Sequence, residues 1–84
     1  MHVQLDADPY DTYERVPLVV AHWADQVFDW LEEAPVDVRA RTHQFTNGLW
    51  AVTAHRAGES WLILWEPDGD IARVRYLGED TMSL

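Results

Sequence analysis

Several residue types that carry chemistry in other proteins are missing from this chain. It contains no cysteine, which excludes disulfide bonds, a thiol nucleophile and thiolate metal ligands. It also contains no lysine, no glycine-rich phosphate loop and no G-x-S-x-G turn around a serine. The four histidines show no metal-ligand spacing. We therefore expect a protein that is not an enzyme and uses neither a cofactor nor a metal ion.

Residues 1–84 are expected to form a single soluble domain. A hydrophobic fraction of 48% with five tryptophans is sufficient for a packed core, and no apolar run is long enough to span a membrane. The first residues include Asp6 and Asp8 and lack the pattern of a secretion signal, so we expect a cytoplasmic protein. Residues 78–84 are expected to form a flexible tail.

Negative charge dominates the composition. Fifteen acidic residues and six arginines give a formal net charge of −9. This charge opposes approach to nucleic acid and favours a basic protein as the partner. Residues 38–58, however, contain three arginines and no acidic residue. A local basic patch therefore leaves nucleic acid as a less expected partner that is not excluded.

One amphipathic helix is expected from residue 17 to about residue 34, ended by Pro35. Its acidic residues fall opposite an apolar arc that recurs at helical spacing. A shorter turn or helix is expected over residues 9–15, because Asp8 and Pro9 form a helix-start signal. The apolar arc consists of Val20, Trp23, Ala24, Val27, Phe28, Trp30, Leu31 and Ala34.

After Pro35 the periodicity changes from 3.6 to 2, which predicts strands. They are expected over residues 36–45, 49–56, 60–66 and 71–77. Asn47-Gly48 is expected to form a type I′ hairpin turn between the first two. A further short strand is expected over residues 2–7. The expected fold is α+β, with an N-terminal strand and one main amphipathic helix packed on a four-stranded antiparallel β-meander.

The alternation also assigns strand residues to the two faces of the sheet. The central strand is expected to be Trp61-Leu62-Ile63-Leu64-Trp65, which is apolar on both sides. Its second side is then covered by a homodimer partner, or it is exposed as an apolar stripe among arginines. The face toward the helix is expected to hold Val36, Val38, Ala40, Trp50, Val52, Ala54, Ala72, Val74 and Tyr76.

Two groups of residues are candidate partner-binding sites. The acidic face of the helix is the first, with a plain solubilising face as the alternative. The second lies on the sheet, since arginine and tryptophan are frequent interface hot spots; the alternative is internal ion pairing, for example with Glu66 or Asp70, and burial in a dimer. The acidic group is Asp25, Asp29, Glu32, Glu33 and Asp37. The sheet group is Arg39, Arg41, His43, His55, Trp61, Trp65, Arg73 and Arg75.

The second half of the chain contains the segments Gly48-Leu49-Trp50, Glu59-Ser60-Trp61-Leu62-Ile63-Leu64-Trp65 and Val74-Arg75-Tyr76-Leu77-Gly78. Together they resemble the last three strands of RelE/ParE-type toxins. The resemblance implies a ribosome-dependent ribonuclease with basic residues, together with Tyr or His, on the concave face of the sheet. This chain differs in having no lysine and in placing Glu79 and Asp80 after the final glycine. A helix against a β-meander is also similar to the cystatin arrangement, which implies no function.

The leading hypothesis is a small acidic, non-catalytic binding or inhibitor protein that docks on a basic or nucleic-acid-binding partner. Immunity proteins, antitoxins and phage anti-defence inhibitors are of this kind. The alternative is a RelE/ParE-like toxin or RNA-binding protein whose arginines and histidines contact phosphates while tryptophan stacks on bases. A third hypothesis is a structural subunit whose sheet face forms the homodimer interface.

Overall fold

A computed structural model describes residues 2–33, 43–45 and 47–81. The observed fold is α+β, as expected. The strand predicted over residues 36–45 lies outside the described residues, except for its last part. The elements are β1 (His2–Leu5), α1 (Ala7–Tyr13), α2 (Leu18–Glu33), β2 (His43–Gln44), β3 (Trp50–Arg56), β4 (Glu59–Asp68) and β5 (Ile71–Glu79).

The strands form one mixed sheet in the order β1-β5-β4-β3-β2. Strands β2 to β5 pair antiparallel with their neighbours in sequence, but β1 joins the edge beside β5 and runs parallel to it. The His2 N–H donates to the Asp70 carbonyl oxygen at 2.8 Å, and the Asp6 N–H donates to that of Val74 at 3.0 Å. The prediction of a purely antiparallel meander is therefore wrong at this edge.

Helix α1 begins earlier than the helix-start signal predicts. Asp6 is the N-cap residue, and its side chain makes no capping hydrogen bond because its carboxylate lies against Arg73 and Arg75 instead. Pro9 thus occupies the third helical position, where its missing N–H costs no intrahelical bond. The main helix α2 matches the predicted range to within one residue at each end.

Both helices pack on one face of the sheet, and the main core lies between. Helix α2 buries five residues of its predicted apolar arc, while Phe28 and Trp30 are partly buried. Trp61, Ile63 and Trp65 meet it from β4, which is the central strand, as predicted. The buried residues of α2 are Val20, Trp23, Ala24, Val27 and Leu31.

The other face of the sheet carries a second, smaller apolar cluster. Leu62 and Leu64 of β4 are buried there with Ala51, and Phe45, Leu49 and Tyr76 pack around them. Both sides of the central strand are therefore covered within the chain. Neither an exposed apolar stripe nor a dimer partner is needed to explain its sequence, which corrects the expectation from the alternation.

A β-bulge in β5 places Tyr76 on the unexpected face. Leu64 pairs with Tyr76 and Trp65 pairs with Val74, so Arg75 is an extra residue between them. The extra residue reverses the side-chain alternation beyond it. Leu77 consequently enters the main core and Tyr76 joins the second cluster, whereas strict alternation after Ala72 and Val74 assigns Tyr76 to the helix side.

The type I′ dihedrals expected at Asn47-Gly48 occur at another turn. Ala57 and Gly58, which connect β3 to β4, have φ of 54° and 78°, and positive φ at both central residues is the type I′ signature. At the predicted turn, Gly48 has a positive φ and its N–H donates to the Phe45 carbonyl oxygen at 3.0 Å, which makes Gly48 the last residue of a β-turn and not a central one. At the other end, β5 continues through Gly78 to Glu79, so the predicted tail begins too early.

Candidate functional site

The exposed face of α2 is acidic from Asp25 to its C-terminal end. Asp25, Asp29 and Glu33 follow one another at intervals of four residues, which places them on one side of the helix with Glu32 beside them. All four are exposed, as predicted. We call them the acidic face. Asp37, the fifth predicted member, lies outside the described residues.

Asp25 of the acidic face contacts the neighbouring helix α1. The Tyr13 hydroxyl of α1 donates to Asp25 Oδ1 at 2.5 Å. This hydrogen bond raises the pKa of Tyr13, with smaller contributions from burial and from the Asp25 charge. The Tyr13 ring also lies 6.1 Å from that of Phe28. Asp25 therefore helps to attach α1 to α2, whereas Asp29 and Glu33 have no partner within the described part of the chain.

The charges of α2 are distributed against its macrodipole. The first turn contains no acidic residue and the last turn contains no basic residue. Instead, the last turn contains the acidic residues Glu32 and Glu33. Negative charge at a helix C-terminus costs about 0.3–1 kcal/mol per exposed group. The same placement adds the partial negative charge of the helix end to that of the carboxylates. The acidic face is thus most negative at its C-terminal end, at a cost to helix stability.

On the sheet, the two described arginines of β5 are engaged in internal ion pairs. Arg75 contacts Glu66 at 2.5 Å and Asp6 at 3.0 Å, while Arg73 contacts Asp68 at 3.1 Å and lies 3.6 Å from Asp6. The hydrogen bond to Glu66, followed by that to Asp6, raises the pKa of Arg75. Three carboxylates thus face two guanidinium groups. Pairing with Glu66 agrees with the internal alternative predicted for this group.

The predicted sheet-face tryptophans are not on the arginine side. Trp61 is 7% exposed and Trp65 is fully buried, and both point into the main core under the helices. The Trp61 indole N–H donates to the Arg56 carbonyl oxygen at 2.9 Å. Their assignment to an exposed partner-binding site is therefore wrong. Alternating residues of a strand face opposite sides, and Trp61 and Trp65 share their side with Ile63 rather than with Leu62 and Leu64.

The remaining sheet-group residues are not brought together. His55 is exposed on β3 beside Ser60, while Arg73 pairs with Glu66. Ser60 and Glu66 are six positions apart on β4, which corresponds to roughly 20 Å along the strand. His43 is described only through its backbone pairing with Ala51, and Arg39 and Arg41 lie outside the described residues. The described members therefore do not form one basic patch.

An open groove lies at the opposite end of the sheet from the arginine pairs, and the sequence pattern did not indicate it. Its volume is about 360 Å³. Close by, the carboxyl groups of Glu59 and Glu79 share a hydrogen bond, which raises the pKa of Glu59. The groove joins residues far apart in sequence, so periodicity had no means of revealing it. Its lining residues are Thr12, Arg15, Val16, Pro17, Trp61, Gly78 and Glu79.

Three further findings bear on the function. Within residues 2–33, 43–45 and 47–81, no three histidine or acidic side chains are placed to hold a metal ion. Neither α1 nor α2 is long and apolar enough to cross a bilayer. Comparison with family models, curated proteins and solved structures finds no match. The toxin-like and cystatin-like resemblances thus remain expectations from the sequence alone.

Proposed function

We propose that this chain is a non-catalytic acidic binding protein that docks on a basic protein through the acidic face of α2 and inhibits it. The main support for this proposal is the contrast between the acidic face of α2 and the arginines of β5. Asp29 and Glu33 are exposed and unpartnered within the described chain, whereas Arg73 and Arg75 are neutralised by carboxylates. The proposal places the protein in the cytoplasm, as expected from its sequence.

Electrostatics defines what this surface can do. A net charge of −9 attracts a basic protein over a distance comparable with the Debye length, and the acidic face orients it. Such complementarity speeds association and selects the partner more than it adds affinity. Inhibition then follows by steric occlusion, if the basic surface that is covered is the one the partner uses on its own substrate. Immunity proteins, antitoxins and anti-defence inhibitors act in this way.

The RNA-binding and toxin hypotheses receive less support. Arg73 and Arg75 would have to leave their carboxylates before contacting phosphates, and Trp61 and Trp65 would have to leave the core before stacking on bases. The homodimer hypothesis also receives less support, because Leu62 and Leu64 are buried within the chain and need no partner to cover them. Homodimerisation through the sheet face stays a prediction, which light scattering at micromolar concentration addresses.

The test compares two variants that lose the same amount of charge. Asp29→Asn/Glu33→Gln weakens the acidic face without touching the Tyr13–Asp25 hydrogen bond. Asp11→Asn/Asp70→Asn removes two exposed carboxylates elsewhere. The partner is captured from the source organism with the wild-type protein, and its association rate is then measured by surface plasmon resonance over a range of salt concentrations.

We expect the acidic-face variant to associate several-fold more slowly at low salt and to show a flatter salt dependence, while the control variant resembles the wild type. Thermal unfolding separates binding from folding. Removing Glu33 relieves an unfavourable dipole interaction, so this variant should unfold at the same temperature or higher. Equal association rates for the two variants would contradict the proposed function.

A further inference from the structure

Two large apolar side chains are exposed at the start of α2. Leu18 is 71% exposed and Val19 is 46% exposed. Leu18 lies seven residues before Asp25 and eleven before Asp29, so helical periodicity places it on the same side as the acidic face. Val19 flanks it. The exposed surface of α2 is thus apolar at its N-terminal end and acidic toward its C-terminal end.

Helix stability does not explain this arrangement. Acidic residues in the first turn and basic residues in the last turn would complement the macrodipole, and α2 has neither. The core does not need Leu18 or Val19 either, since five other residues of α2 are fully or almost fully buried. At both ends of this exposed surface the residues present are not those that local stability favours. Such residues are typical of a functional site.

We infer that the partner presents a basic amphipathic segment, with an apolar end that packs on Leu18 and Val19 and cationic side chains that follow the acidic face to Glu33. This inference rests on the proposed function and specifies the partner of the same surface. From Leu18 to Glu33 the helix axis extends about 22 Å. A partner helix would need about 15 residues to span that length.

Charge complementarity selects this occupant over others. A second copy of the chain would bring an identical row of carboxylates against the first, and an anionic membrane or a nucleic acid would be repelled in the same way. An apolar segment without cations would leave the carboxylates of Asp29 and Glu33 without partners. A basic segment with an apolar end satisfies both parts of the surface, with a buried anchor and a charged rim.

The test uses two fluorescein-labelled synthetic helical peptides of about 16 residues. Both contain four arginines along one helical face and the same two leucines. In the first peptide the leucines lie at one end of the arginine face, and in the second they lie on the opposite face. Fluorescence anisotropy measures their binding to the wild type, to Leu18→Ser/Val19→Ser and to Asp29→Asn/Glu33→Gln. Tyr10→Ser is the control, because Tyr10 is 53% exposed on α1.

We expect the first peptide to bind the wild type roughly tenfold more tightly than the second, as the burial of one or two leucines implies. Leu18→Ser/Val19→Ser should abolish that difference, and Tyr10→Ser should retain it. Thermal unfolding checks that each variant is folded. Equal affinities of the two peptides for the wild type, or an undiminished difference in Leu18→Ser/Val19→Ser, would overturn the apolar anchor.

The two proposals fail in different ways. If both peptides bind equally, with an affinity that falls with salt and in Asp29→Asn/Glu33→Gln, the anchor is wrong and the proposed function stands. If neither peptide binds the wild type at low salt, both proposals are contradicted. Binding that is insensitive to Asp29→Asn/Glu33→Gln counts against the acidic face as the docking surface.

Discussion

The Asp6 carboxylate accepts a hydrogen bond at 3.0 Å from Arg75, a residue 69 positions later in the chain. Asp6 also lies 3.6 Å from Arg73, so one carboxylate serves both arginines of β5. The contact joins the end of β1 to the strand beside it. It also makes the first acidic residue of the chain a neutralising partner for the basic residues that the sequence suggested as a phosphate-binding surface.

Asp6→Asn should therefore destabilise the fold slightly. The ion pairs are partly exposed, with 43% of the Arg75 side chain accessible, and pairs of this kind contribute little. We expect a fall of a few degrees in the unfolding temperature, measured by circular dichroism, and a smaller fall at 0.5 M salt. Asp11→Asn, which removes an exposed carboxylate from α1, is the matched control. Identical unfolding temperatures for both variants would show that the contact is energetically neutral.

Glu79→Gln should stabilise the protein at neutral pH. The hydrogen bond with Glu79 raises the pKa of Glu59, so the folded state holds this proton more strongly than the unfolded chain. The hydrogen bond between the two carboxyl groups therefore stabilises the folded state below pH 4.5, the ordinary pKa of glutamate. Its contribution to stability is lost as the pH rises through the raised pKa of Glu59. Above that raised value, the charge on Glu59 is repelled by the negative charge of Glu79.

We accordingly expect Glu79→Gln to unfold at a higher temperature than the wild type at pH 7, with a difference that narrows as the pH approaches 4. Thermal unfolding across this range measures it. Asp70→Asn, in the turn between β4 and β5, controls for the change in net charge. A difference that is constant with pH would argue against the carboxyl pair.

Gly78→Ala should destabilise the fold through Tyr76. A Cβ atom at Gly78 would lie 2.7 Å from the Tyr76 hydroxyl oxygen, which forces the ring to move and weakens its 2.8 Å hydrogen bond to the Glu79 carbonyl oxygen. We expect a loss of about 1–2 kcal/mol in urea denaturation. In a Tyr76→Leu background the same substitution should cost less, because the clash is absent. If the two substitutions change the free energy of unfolding by strictly additive amounts, the clash between a Cβ atom at Gly78 and the Tyr76 ring is refuted.

The local parts of this fold could be predicted from the sequence. The apolar arc of α2 and its acidic face follow from periodicity, and the doubly apolar run from Trp61 to Trp65 correctly predicted the central strand. These features depend on residues that are close in sequence. The same holds for the pairing of Arg75 with Glu66, since adjacent antiparallel strands bring them together.

The features that were missed depend on distant residues or on local irregularity. The parallel pairing of β1 with β5 joins the two ends of the described chain, and nothing in His2–Leu5 signals it. Nor does any pattern reveal Asp6 as a partner of Arg75. The bulge at Arg75 is hidden because Ala72, Val74 and Tyr76 alternate as a regular strand would. The predicted start of α1 was too late because the N-cap residue is Asp6. The Asp6 side chain pairs with Arg73 and Arg75 and makes no capping hydrogen bond, so the usual capping chemistry does not mark this position.

The bulge at Arg75 gives β5 two halves with opposite side-chain parity. Deleting that single residue would restore regular pairing and leave the side chains on the faces they occupy now, with Val74 and Leu77 toward the helices and Tyr76 on the other side. The residue lost would be the cation that pairs with Glu66 and Asp6. The bulge thus lets β5 contain one more residue than its partner strand requires without changing the composition of either apolar cluster.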